Sequence, residues 1–104
     1  MDDDGYPEDD ELDKIRTWDF HLGFLPLMDY VKSLWNWNDT YFCQIDENHF
    51  ELHTGGWSGN EEIIGAMKQN TMFWLLCWEE SRRGGHYKFE VKKVHEMVHL
   101  WRGG

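Results

Sequence analysis

The sequence predicts an α+β fold: a small antiparallel or mixed sheet of about four strands in a ββαββ order, with N-terminal helices and a C-terminal helix. Three observations carry this. Apolar residues recur at helical spacing in "LPLMDYVKSLW" and "NEEIIGAMKQN". They alternate with polar residues in "HFELHT" and "HYKFEVK". Turn-forming "DEN" and "SRRGG" sit where consecutive strands would join.

Taken in order, residues 1–13 hold eight acidic side chains and no basic one. They are read as an acidic disordered tail, and 14–104 as one α+β domain. Within the border region, "DELDKIRTWDF" can carry a short helix. The next helix has Leu27, Met28, Val31, Leu34 and Trp35 on one face, with Pro26 suited to its first turn. "NWNDT" ends it. "TYFCQI" and "HFELHT" read as two short strands around "DEN". After the loop "GGWSGN", Ile63, Ile64 and Met67 line one face of a helix over 60–70. Ser58 and Glu61 have capping-box spacing, with Asn60 the alternative cap. "MFWLLCWE" is apolar on both faces and reads as a central strand covered on two sides. "HYKFEVK" is its half-exposed partner. "VHEMVHLW" reads as a terminal helix with Val94, Met97, Val98 and Trp101 on one stripe.

A chain of 104 residues can bury one modest core. Seven Trp, six Phe and four Tyr supply much of it, and an excess of Trp also suits a binding surface. The formal charge of −10 lies mostly in the tail, which argues against a nucleic-acid mimic built on a folded face. Cys43 and Cys77 lie in apolar stretches and make no disulfide framework, which suits a reducing cytoplasm. The N-terminus has no secretory pattern, and no apolar run is long enough to span a bilayer.

"HEMVH" at 95–99 has the H-E-x-x-H pattern, in which two His one helical turn apart share zinc and Glu activates water. A catalytic zinc needs a third protein ligand. "LWRGG" downstream offers none, and Asp46, Glu47 or His49 would have to serve from the "DEN" end. The preferred reading of His95, Glu96 and His99 is an amphipathic helix with solvated histidines, so no cofactor is expected, with zinc the alternative.

Helix 60–70 acts as a crossover, returning the chain to the start of the next strand. The loop after Thr54 and the turn 81–85 then lie at the same end of the sheet. Thr54, Gly55, Gly56, Trp57, Ser58 and Asn60 form a Gly-rich turn opening a helix, a place where backbone N–H groups can meet an anion. Arg82, Arg83 and His86 would face them, and Trp37 would join from "NWNDT". Against this, Gly-Gly is a common hairpin turn, and Glu61 and Glu62 would repel phosphate. No Lys follows the last Gly, so the Walker pattern fails. Ser58 lacks a nucleophile elbow, and nothing in the sequence gathers it with His86 and Asp39 as a triad. The mixed aromatic and basic C-terminal quarter is better explained by core packing than by nucleic-acid binding.

The core "TGGWSGNE", "MFW" and "SRRGGHY", in that order, resembles a family of small uncharacterised proteins of tailed bacteriophages. With the preceding helices the resemblance covers residues 14–92. It implies a phage origin and action inside the host cytoplasm, and it implies no activity. The expected role is a non-catalytic accessory protein. It would bind a host protein or a small anionic, nucleotide-like ligand through the 54–60 and 82–87 turns. The rival readings are a small zinc-dependent hydrolase using "HEMVH" and an acidic nucleic-acid-mimicking decoy. The sequence leaves oligomeric state open.

Overall fold

Apolar faces too small to be buried singly meet here in two layers, helices on one side and a sheet on the other. The computed structural model describes residues 6–91. The expected terminal helix and "HEMVH" lie outside the described residues. The elements are α1 (Asp9–Arg16), a 3-10 turn (Phe20–Leu22), α2 (Leu25–Leu34), α3 (Asn38–Tyr41), β1 (Phe42–Gln44), β2 (His49–His53), α4 (Ser58–Gln69), α5 (Thr71–Cys77), β3 (Trp78–Arg82) and β4 (His86–Glu90).

The sheet order is β1-β2-β4-β3, and every neighbouring pair is antiparallel. Because β2 and β3 both pair antiparallel with β4, they run in the same direction. The expected crossover is therefore present, with β4 inserted between its two strands. Phe50 and Leu52 of β2 and Phe89 of β4 are buried on the helix side. Phe89 meets Phe73 at 5.5 Å, and Phe73 meets Phe24 edge-on at 5.2 Å. Trp35 is buried and spends its indole N–H on the carbonyl of His53, 3.1 Å away, so its polar end is satisfied.

Two expectations are corrected. The expected tail runs to residue 13, but the short helix expected in "DELDKIRTWDF" is present as α1, begins already at Asp9 and buries Leu12 and Ile15. Its first turn is acidic and its last turn holds Lys14 and Arg16, which complements the helix dipole. The Glu8 N–H donates to Glu11 Oε1 at 2.9 Å. Composition reported only the charge, whereas the two apolar residues three apart decide the fold.

The second correction concerns "MFWLLCWE", read as a central strand. It is helix α5 followed by the edge strand β3. Phe73 and Cys77, four apart, are buried, while Leu75 between them is 75 % exposed. A strand would have put all three on one face. The buried side chain of Asn70 decides the outcome. Its oxygen accepts from the Phe73 N–H at 3.2 Å, and its amide donates to the carbonyls of Ile15 and Trp18 at 3.0 and 3.2 Å. One residue thus caps α5 and ties it to the end of α1.

Phe73→Ala should cost about 3–5 kcal/mol. Leu75→Ala should change stability by less than about 0.5 kcal/mol, as for a surface position. Urea denaturation of the two variants checks the helical assignment; equal losses would contradict it.

Candidate functional site

Backbone pairing builds the site first. His53 and His86 are opposite each other in the β2–β4 ladder. The next step up, the Thr54 N–H donates to the Gly85 carbonyl at 2.9 Å. This bond joins the two glycine corners. Gly85 has φ +80°, and a Cβ on it would overlap Thr54 Oγ1, so the close approach needs glycine there. Gly55 and Gly56 turn the chain at φ +62° and +75°, and the Trp57 N–H returns to the Thr54 carbonyl at 3.0 Å.

Asn60 then ties this corner to the start of α3. Its side-chain oxygen accepts from the Asn36 N–H at 2.9 Å. Its amide donates to the Asn36 carbonyl at 3.1 Å and to the Thr54 carbonyl at 3.4 Å. The next residue, Trp37, has φ 57° and is the one non-glycine residue with positive φ among those described. A left-handed conformation is costly for a bulky residue and persists only where its surroundings impose it.

Trp37 is half exposed, meeting Tyr41 edge-on at 5.9 Å and Trp57 at 6.1 Å. Trp57 also packs on Tyr6 at 4.6 Å. Its indole N–H is buried over Gly59, without a hydrogen-bond partner among the described residues. Trp37, Thr40, Tyr41 and Gly55 line an open cleft of about 200 Å³.

The corners are together, and some of the expected ligand groups are already engaged within the fold. Asn60 is buried and its side chain is taken up by Asn36 and Thr54. Ser58 does not cap α4; its hydroxyl pairs with Tyr6 Oη at 2.9 Å. Trp57 stands at the N-cap position. The Arg82 guanidinium lies 3.0 Å from Glu80, whose carboxyl it holds below the usual carboxylate range. Arg83 is exposed at the tip of the turn. His86 packs edge-on against His53, with ring centres 4.3 Å apart. Burial, and then the neighbouring His86, lower the proton affinity of His53.

The face of the sheet away from the helices carries Glu51, His53, His86, Lys88 and Glu90, none of them buried. Sequence reading named only His86 as part of a working surface. The signal was present: the polar members of both alternating strands are titratable. Tyr6 and Tyr41 were also missed, because the packing of α1 on α4 brings Tyr6 beside Trp57, and the Asn60 tie brings Tyr41 beside Gly55.

No family model, no curated protein and no solved structure matches this chain.

Two outcomes follow from this geometry. Gly84→Ala and Gly85→Ala should each lose about 1–2 kcal/mol for a side chain at positive φ. Gly85→Ala should lose more, because its Cβ meets Thr54. Denaturant titration of the pair reads the difference. In an NMR titration His53 should protonate below the ordinary 6.5, and His86→Asn should raise its midpoint only partly, since burial is the larger cause. The sign for stability follows: His53 binds its proton less well folded than unfolded. Its contribution is present above about pH 6.5 and is lost progressively as pH falls from there through the lower folded-state value.

Proposed function

We propose that this chain is a non-catalytic binding module whose contact surface is the rim formed by 54–60, 82–87 and the adjoining Trp37–Tyr41 turn. The observation that carries the reading is Trp37. It is held in an unfavourable backbone conformation, half exposed, between Tyr41 and the glycine corner. Strain of this kind clusters at binding and switch sites, and an exposed Trp beside a rigid aromatic neighbour is a common anchor in protein interfaces.

Between the two ligands expected from sequence, a protein partner is favoured over a nucleotide-like anion. Arg82 is paired with Glu80, and Asn60 is buried within the fold. Glu61 and Glu62 lie exposed in the first turns of α4. The cleft beside Trp37 has about 200 Å³, below the roughly 300 Å³ at which small-molecule pockets begin. It suits one large apolar side chain from a partner. The resemblance to phage proteins would make that partner a host protein and the host cytoplasm the place of action. No described helix is long and apolar enough to cross a membrane.

A photo-crosslinking residue placed at Thr40 or Arg83 should capture one discrete bacterial protein, and the same residue at Asp29 on α2 should not. Trp37→Ala should abolish capture from position 83 while leaving the melting transition intact. Equal capture from all three positions, or undiminished capture by a folded Trp37→Ala variant, would defeat the proposal. A thermal shift with ATP in wild type and none in Arg83→Ala would restore the anionic ligand.

A further inference from the structure

At the opposite end of β2 from the glycine corner, one imidazole and two carboxylates converge. His49 stands opposite Glu90 in the β2–β4 ladder. Glu79 reaches them from β3. The register of β3 on β4 is irregular between Trp78 and Glu80. The extra residue of such a bulge re-aims side chains. Here Glu80 meets Lys88 on the open face while Glu79 turns to His49 and Glu90. The donor atoms of His49, Glu79 and Glu90 all lie within 4.8 Å of one another. A tetrahedral ion with bonds of about 2.1 Å holds its donors roughly 3.4 Å apart. A small rotation of the exposed Glu79 would close that gap.

The imidazole is oriented from behind. Asp46 Oδ1 accepts the backbone N–H groups of Asn48 and His49, each at 3.0 Å, and lies 2.7 Å from His49 Nδ1. With Nδ1 committed to Asp46, Nε2 points at the Glu90 carboxylate, 3.2 Å away. Carboxylate behind, nitrogen in front is the arrangement that fixes the tautomer of metal-binding histidines. Among the described residues the charge is also unbalanced. Asp46, Glu79 and Glu90 carry three negative charges against at most one on His49. The nearby described cations Lys88 and Arg82 are both engaged with Glu80. His49 and Glu79 also line an open surface depression of about 520 Å³, so a bound ion would be reachable from solvent.

We propose that His49, Glu79 and Glu90 bind one divalent first-row metal ion of the zinc or manganese type, with Asp46 positioning the histidine. The ion takes the place of the proton between Nε2 and the Glu90 carboxylate. One nitrogen and two oxygen donors suit zinc and manganese, whereas magnesium and calcium prefer all-oxygen shells.

The test uses untagged full-length protein and isothermal titration with Zn²⁺, Mn²⁺ and Mg²⁺. One Zn²⁺ or Mn²⁺ per chain is expected, with Mg²⁺ far weaker. His49→Gln should weaken zinc binding at least about tenfold, and Asp46→Asn should weaken it by about 10- to 100-fold. His95→Gln/His99→Gln should keep it. Loss of zinc in that double variant, undiminished affinity in His49→Gln, or no stoichiometric binding would each overturn the assignment. Should His49→Gln fail to fold, wild-type protein still decides. Substoichiometric Mn²⁺ must broaden the amide resonances of 46–50, 79 and 90 first, and broadening centred elsewhere refutes the site.

Discussion

The side chain of Asn60 lies between two chain segments that are far apart in sequence, and the upper end of the molecule depends on it. It accepts from Asn36 and donates to Asn36 and Thr54. Inside a protein these bonds are strong because water does not compete, and each backbone group would be costly to leave unpaired. The consequence is geometric. Asn36 is held in place, Trp37 is delivered in a left-handed conformation, and Thr54 is set where its N–H meets Gly85. The aromatic rim and the joined glycine corners share this one support.

Asn70 plays the matching role lower in the helical layer. It converts an apolar run into a capped helix and ties that helix to α1. With both asparagines committed to backbone, the helical layer covers one face of the sheet and leaves the other to titratable side chains. β2 shows the division along one strand: Phe50 and Leu52 enter the core, and His49, Glu51 and His53 face outward. A strand alternates by geometry, so a buried apolar face and a titratable face come from the same five residues.

The two surfaces of interest sit at opposite ends of that strand. From His49 to His53 is four residues, roughly 13 Å at the usual strand rise. The rim is aromatic and built on glycine turns. The His49 group is ionic and built on strand pairing and a bulge. Different forces hold them, so a change in one need not disturb the other. The proposed protein contact at the rim and the proposed ion on the open face would therefore not compete for the same residues.

Much of the fold was legible from local pattern. The helix from Leu25, the two hairpins, the helix after the glycine loop and the neighbouring corners all follow from spacing, turn residues and one crossover. These are properties of a few consecutive residues, which is why sequence alone determined them. The tail boundary and α5 were not legible. Leu12 sits among acidic residues, and its burial depends on packing that composition does not register. "MFWLLCW" is apolar enough for either a strand or a helix, and Asn70 settles it by bonding to Ile15 and Trp18, more than fifty residues away. The same holds for the sites. Sequence named Trp57, Asn60 and Arg82 as ligand groups, but only the folded chain decided that Asn60 is a strut and Arg82 is paired with Glu80. It also brought Glu79 to His49 and Glu90. Hydrogen bonds and ion pairs depend on distance in space, and tertiary structure alone sets that distance for residues on different strands.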